Sequence, residues 1–313
     1  MYNKYMVISK KLNLIGQLLL LLATLAWGTS FFILKETIET VNELFVLALR
    51  FLFSGIVLGF IFIKKIKNTN EKTILHGLTL GVILVFAYII QTYGLSYTTP
   101  SRNAFLTSSY CVIVPFLAWA LTKIKPKAYN LISAIACIIG IGFVAFSGEQ
   151  GQGSNVLLGD GLTLICAIFY GLQIIFISQY QESGEDASVL LVFELLTVGV
   201  LCAVFSLLFE LPNGTAGYVL DFEKVLKIGY LAVFCTLFAQ MAQIYGQKFT
   251  TPNQASLILS LEAVFGTLFS VILGDEKLTA GLIIGFVIIF VAMLINELKL
   301  DPLKLLGGKK SIE

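Results

Sequence analysis

The sequence predicts an all-α integral membrane protein of ten transmembrane helices, arranged as two inverted five-helix repeats. Three observations predict it. The 313-residue chain is 57% hydrophobic and only 13% charged, with a mean hydropathy of +0.90, more apolar surface than a soluble fold can hide. Its apolar runs reach the roughly 20 residues needed to cross a hydrocarbon core about 30 Å thick. The stretch FAYIIQTYGLSYTTP at 86–100 returns as FAQMAQIYGQKFTTP at 238–252, identical at 8 of 15 positions after 152 residues.

The ten runs fall at 14–33, 44–63, 74–95, 103–122, 129–147, 158–178, 188–208, 226–246, 254–273 and 279–297. The start, MYNKYMVISKKLNLIGQLLLLL, has the basic front and apolar run of a signal peptide. It continues to Leu34 without a small-x-small cleavage pattern and reads as an uncleaved first span. Residues 1–13 are a cytoplasmic N-terminus, 14–147 the first repeat, 148–157 a linker, 158–297 the second repeat and 298–313 a cytoplasmic tail. Thr98-Thr99-Pro100 and Thr250-Thr251-Pro252 read as tight corners joining spans 3–4 and 8–9. Proline disfavours a helical residue before it and suits the first helical turn. Gly94 and Gly246, just before these corners, suggest helix ends.

Orientation follows the basic residues. With the N-terminus in the cytoplasm, 15 lysines fall inside, among them Lys10, Lys11, Lys64, Lys65, Lys67 and Lys127. Lys35, Arg102, Lys224, Lys227 and Lys277 fall outside. Both termini then face the cytoplasm of a multi-pass plasma-membrane protein. The acidic loop QESGEDAS at 181–188 runs against this bias, although acidic residues count for little in the rule.

The repeat reaches beyond the opening match. Trp27-Gly28 aligns with Tyr170-Gly171, and Gly55 with Gly199. Each half holds five spans; five is odd, so the second copy enters the bilayer from the opposite face. Secondary transporters built this way bind substrate near the midplane between the repeats, and rocking of the two halves gives alternating access.

Polar groups inside the spans nominate the site. Thr236, Gln240, Gln243 and Gln247 form one stripe of span 8, matched in span 3 by Tyr88, Gln91 and Leu95. An amide facing lipid has no partner, so the stripe faces protein or water. It reads either as cavity lining or as hydrogen-bonded glue between helices. Trp27, Tyr88, Tyr110 and Tyr170 lie away from the membrane interfaces where aromatic belts form. Ser30 and Gln173 match across the repeat, one turn after Trp27 and Tyr170. Together with Gln91, Gln240 and Gln243 these residues suit a small neutral or zwitterionic solute.

Three ionisable residues lie well inside spans, each a functional candidate by default. Arg50 and Glu194 occupy matching repeat positions. Arg50 reads as an anchor or gate that snorkels partway or pairs with Glu36, Glu39 or Glu43; Glu194 reads as a boundary charge met by Lys248 or another lysine. Glu262, matched by Tyr110, is either a proton-coupling carboxylate or a structural acceptor joining two helices. His76 reads as a solvated interface histidine.

Several classes are excluded. Cys111, Cys137, Cys166, Cys202 and Cys235 all lie in apolar runs without paired spacing, so they read as packing thiols, neither disulfides nor metal ligands. The net charge of +2 does not suit nucleic acid. Nucleophile elbow, phosphate-binding loop and clustered acid–base residues are absent, which argues against an enzyme and against direct use of ATP. The expected partners are a small-molecule substrate, the bilayer and protons as candidate coupling ion, with no cofactor and no metal.

WGTSFFILK at 27–35, LALRFLFSG at 47–55, YTTPSRNAFLTSSYCVIVP at 97–115 and FTTPNQASLILSLEAVFGTLFSVILGDEKLT at 249–279 resemble the EamA-type branch of the drug/metabolite transporter superfamily. The resemblance spans about 14–297. It implies a ten-span inverted fold with cytoplasmic termini and a central cavity. It also implies secondary export of small metabolites, often amino acids; an uncoupled facilitator or channel, or a multidrug exporter, is the alternative. The chain departs from the family where Ala263 replaces the proline that often follows the glutamate of span 9. Span 1 also lacks the mid-span glutamate of the four-span multidrug relatives.

Overall fold

The computed structural model describes residues 10–123, 125–146, 155–250, 252–274 and 277–297. The expected tail 298–313, most of the linker 148–157, residues 1–9 and Thr251 lie outside them. Ten apolar spans and no strand are found among the described residues. Span 1 is Lys10–Ile38, span 2 Glu43–Ile61, span 3 Glu71–Tyr97, span 5 Ala128–Phe146, span 6 Val156–Glu182 and span 10 Ala280–Glu297. Span 4 is broken into Pro100–Ser108 and Tyr110–Thr122, and span 9 into Pro252–Ser260 and Glu262–Leu273. Span 7, Ala187–Phe205, runs on through a π turn at Ser206–Glu210. Span 8 joins Phe222–Ala232 to Ala239–Lys248 through a π turn at Val233–Phe238.

The inversion is legible in the packing of spans 2 and 7. A Cβ on Gly55 would stand 2.8 Å from the Leu196 side chain, and one on Gly199 would stand 2.6 Å from the Leu52 backbone nitrogen. Residue numbers thus rise along one helix as they fall along the other. Spans 2 and 7 are repeat mates, so the two copies are upside-down to each other. Spans 5 and 10, the last pair of mates, likewise pack on one another.

The remaining six spans are interwoven. Span 1 packs on spans 8 and 9, from the other half of the chain; its mate, span 6, packs on spans 3 and 4. Both unions depend on a close crossing of glycines. A Cβ on Gly94 would lie 3.0 Å from the Gly159 carbonyl, and one on Gly246 3.0 Å from the Gly16 carbonyl. Gly94 and Gly246 lie in the last turns of their helices, near the ends the sequence suggested. Each lies inside its helix and lets a neighbouring backbone approach.

Large apolar side chains such as Phe60, Ile138 and Val287 stay exposed on the outer surface, where lipid replaces water as their partner. At one end of the bundle the acidic 181–188 loop meets the basic segment between spans 2 and 3. Asp186 accepts Lys65 at 3.0 Å and caps span 7. Glu185 takes Lys72 at 3.7 Å and His76 at 3.3 Å. The charge bias that the loop broke is met here by pairing. His76 is not free in solvent: its ring stacks on Tyr180 at 3.9 Å. Burial pushes the Asp186 carboxyl up, but its hydrogen bonds to Lys65 and Ser188 hold it below its usual range.

Candidate functional site

The two helix breaks are repeat mates, and beside each a serine hydroxyl bonds back to its own helix. At Ser109 the hydroxyl donates to Leu106 O at 2.6 Å, and at Ser260 the hydroxyl donates to Leu257 O at 2.7 Å. The next backbone bonds close three-residue turns, Ser109 N to Leu106 O and Leu261 N to Ile258 O. A serine that bonds back to its own helix opens and bends it. Pro115 lies beyond the first break and has no counterpart near the second, so proline is not the shared reason. Each break makes Tyr110 or Glu262 the first residue of the following piece.

Around those two residues lies a cavity with about 430 Å³ of unfilled space, counted to its open side. The structure brings Trp27, Ser30, Tyr88, Gln91, Tyr110, Tyr170, Gln173, Gln240, Gln243 and Glu262 together on its walls. Three further residues complete the lining: Phe31, Ile174 and Leu259. Phe31 and Ile174 follow Ser30 and Gln173 and are mates in the repeat register. That register pairs them, whereas Ile174 carries neither a polar group nor a ring to single it out and Phe31 is one of 25 phenylalanines.

Hydrogen bonds fix the walls. The Tyr170 hydroxyl donates to Gln91 Oε1 at 2.7 Å, and Gln91 Nε2 donates to Thr107 at 3.0 Å. Gln240 Nε2 donates to the Tyr88 hydroxyl at 3.0 Å, and Gln243 Nε2 to Gln173 Oε1 at 3.1 Å. Trp27 Nε1 donates to Cys235 O at 2.9 Å, a carbonyl in the π turn of span 8. Such wide turns leave backbone acceptors open and recur at functional sites. The Ser30 hydroxyl is taken by Trp27 O. Glu262 is 5% exposed and accepts from the Ser108 hydroxyl at 3.4 Å and from Tyr110. No ion pair reaches it among the described residues.

The glutamine stripe divides. Gln240 and Gln243 line the cavity, whereas Thr236 bonds Arg50 and Leu231 O, and Gln247 is buried outside it. Arg50 and Glu194 are not wall residues, and their expected partners are wrong. Glu36 pairs with Lys227 at 3.1 Å, and Glu43 accepts from Ser96; Arg50, 1% exposed, has no ion pair among the described residues. Its depth among spans 2, 3 and 8 rules out snorkelling. Glu194 is 0% exposed and meets an amide rather than a lysine, Gln173 Nε2 at 2.7 Å. Both charges stand one layer behind the cavity, Arg50 behind Tyr88 and Glu194 behind Gln173. The five cysteines are buried and free, as their apolar surroundings predict.

The sequence profile of the EamA-like transporter family matches residues 14–146 and again 157–297. An uncharacterised transporter of Archaeoglobus fulgidus is 29% identical, over 92% of this chain and 87% of its own. The Bacillus subtilis transporter YoaV is 23% identical over 87% and 93%, and the inner membrane transporter YedA of Escherichia coli K12 is 24% identical over 86% and 87%. One crystal structure aligns with 92% of this chain and 98% of its own at a TM-score of 0.68; at 16% identity it shows the fold alone.

Proposed function

The chain belongs to the EamA-like transporter family, and from that premise we propose that it is a proton-coupled secondary exporter of small neutral or zwitterionic organic solutes. One observation carries the reading. The cavity lies between two triads of spans, 1/8/9 and 3/4/6, that the inverted repeat exchanges, and each contributes about half of its lining. Exchange of two such bodies gives two mirror states, one open to each side. The rocking bodies are these triads, not the sequence halves, because span 1 packs with spans 8 and 9 and span 6 with spans 3 and 4.

Glu262 is the proposed proton carrier. It stands where the triads meet, held by span 4 through Ser108 and Tyr110, with no ion pair among the described residues. Gaining or losing one proton changes the charge of the shared cavity and so the balance between the two states. The positive-inside bias supports cytoplasmic termini and a plasma-membrane location.

Transport into proteoliposomes tests the reading with a panel of radiolabelled amino acids and an imposed pH gradient. Accumulation should follow the gradient, and Glu262→Gln should abolish the pH response. Gln243→Leu should lower transport while the protein still elutes as a folded species. Transport that equilibrates regardless of the gradient identifies an uncoupled facilitator; unchanged transport in Gln243→Leu removes span 8 from the pathway.

A further inference from the structure

Two arginines are fully buried in the bundle: Arg102 leaves Nη1 without an acceptor but has a carboxylate partner, whereas Arg50 has no carboxylate partner among the described residues. Arg102 forms an ion pair with Asp160, its Nε also donating to Oδ1 at 3.2 Å. Arg50 places its Nε–H on Thr236 Oγ1 at 2.8 Å, but Nη1 and Nη2 are buried without an acceptor. The carboxylates of spans 7 and 9 are bound elsewhere, Glu194 by Gln173 and Glu262 by Ser108. A guanidinium does not give up its proton. Burying its open N–H donors is costly unless an anion completes them.

The neighbouring unfilled space is the transport cavity. Arg50 Cζ lies 5.5 Å from the centre of the Tyr88 ring, and Tyr88 forms the cavity wall with its hydroxyl held only by Gln240 among the described bonds. The Tyr88 ring stands in turn 5.6 Å from that of Tyr170. Nothing else charged approaches the cavity from spans 2, 3 or 8.

We propose that Arg50 is the anion-recognition residue of the cavity: its Nη groups donate to the carboxylate of the transported solute once Tyr88 swings off Gln240. This rests on the transport reading above and adds to it a substrate requirement. The fork of two parallel N–H groups matches a carboxylate in two-point contact. Glu262, on span 9 and held by span 4, then faces the cationic end of the same solute. The repeat mate of Arg50 cannot play this part, because Glu194 is a carboxyl group already bonded to Gln173.

Tryptophan quenching tests this without knowledge of the substrate. The chain has two tryptophans, and Trp119→Phe on the exposed surface leaves Trp27 as the sole reporter in the cavity. The full chain in lipid nanodiscs is titrated with iodide and with neutral acrylamide. Iodide should quench Trp27 out of proportion to acrylamide. Arg50→Gln should lower that ratio about threefold or more, as a focused positive potential is lost, with acrylamide quenching unchanged. Replacing chloride by acetate at equal ionic strength should relieve the iodide quenching only when Arg50 is present.

An iodide-to-acrylamide ratio that survives Arg50→Gln overturns the proposal, and acetate that fails to compete removes its carboxylate. If acrylamide cannot reach Trp27 in the parent protein, the wet cavity itself falls and with it the transport reading, a separate failure. Where Arg50→Gln does not fold, Arg50→Lys decides. It keeps the charge but loses the fork, so iodide quenching should persist while the acetate effect shrinks; an undiminished acetate effect overturns recognition by the fork.

Discussion

The two triads are built on one plan and braced by different chemistry. Each closes where two glycines cross, Gly94 over Gly159 and Gly16 over Gly246. Beside the first crossing Arg102 and Asp160 form a buried ion pair, with Thr98 donating to Asp160 at 2.8 Å and Asn103 to Thr163 at 2.7 Å. By the repeat register their mates are Gln254 and Gln17. There Asn13 donates to Gln254 at 3.2 Å and to Phe249 O at 3.0 Å, and Gln17 donates to Asn13 at 2.8 Å. Gln254 is exposed, and Asn13 and Gln17 are half-buried. Inverted duplication has kept the helix crossing and let the brace vary. Charge is used where the site is sealed, amides where it is wet.

Breaking the sealed brace should have the largest effect. Asp160→Ala leaves Arg102 as an uncompensated buried charge and should cost about 3–5 kcal/mol, read as unfolding in detergent micelles. The double change Arg102→Leu with Asp160→Leu should recover most of it; a double mutant no better than Asp160→Ala would show that the pair does more than neutralise itself. Next come the crossings. Gly94→Val and Gly246→Val each force a side chain against a neighbouring backbone and should lose about 1–3 kcal/mol, by similar amounts. Unequal losses would mean that the triads differ in packing as well as in brace. The smallest effect belongs to the wet brace: Gln254→Ala should cost below about 1 kcal/mol, since water replaces the lost bond. A loss as large as that of Asp160→Ala would erase the contrast.

Much of this architecture can be read from the sequence because the repeat is strong. The register that aligns Trp27 with Tyr170 and Gln91 with Gln243 names facing positions of one cavity before any coordinates are known. Except for Ile174 and Leu259, the residues facing the cavity are polar or aromatic in an otherwise apolar chain, and that contrast exposes them. What stayed hidden depends on partners distant in sequence. Nothing near Arg50 reveals that its acceptor is Thr236, 186 residues away, or that nearby Glu36 and Glu43 turn elsewhere. Nor does periodicity reveal that a glycine near a helix end admits another backbone, as Gly94 and Gly246 do. The breaks at Ser109 and Leu261 lie within apolar runs of ordinary length, which conceal them.

The interweaving of spans also sets an order of assembly. During synthesis span 1 enters the bilayer long before its packing partners, spans 8 and 9, are made. It must lodge in lipid while most of the chain is translated, with Asn13 and Gln17 waiting for Phe249 and Gln254. Span 6, by contrast, meets spans 3 and 4 already in place. One body can therefore form as the chain emerges, whereas the other closes only after nearly the whole protein has left the ribosome, and a chain truncated before span 8 would leave span 1 without a home.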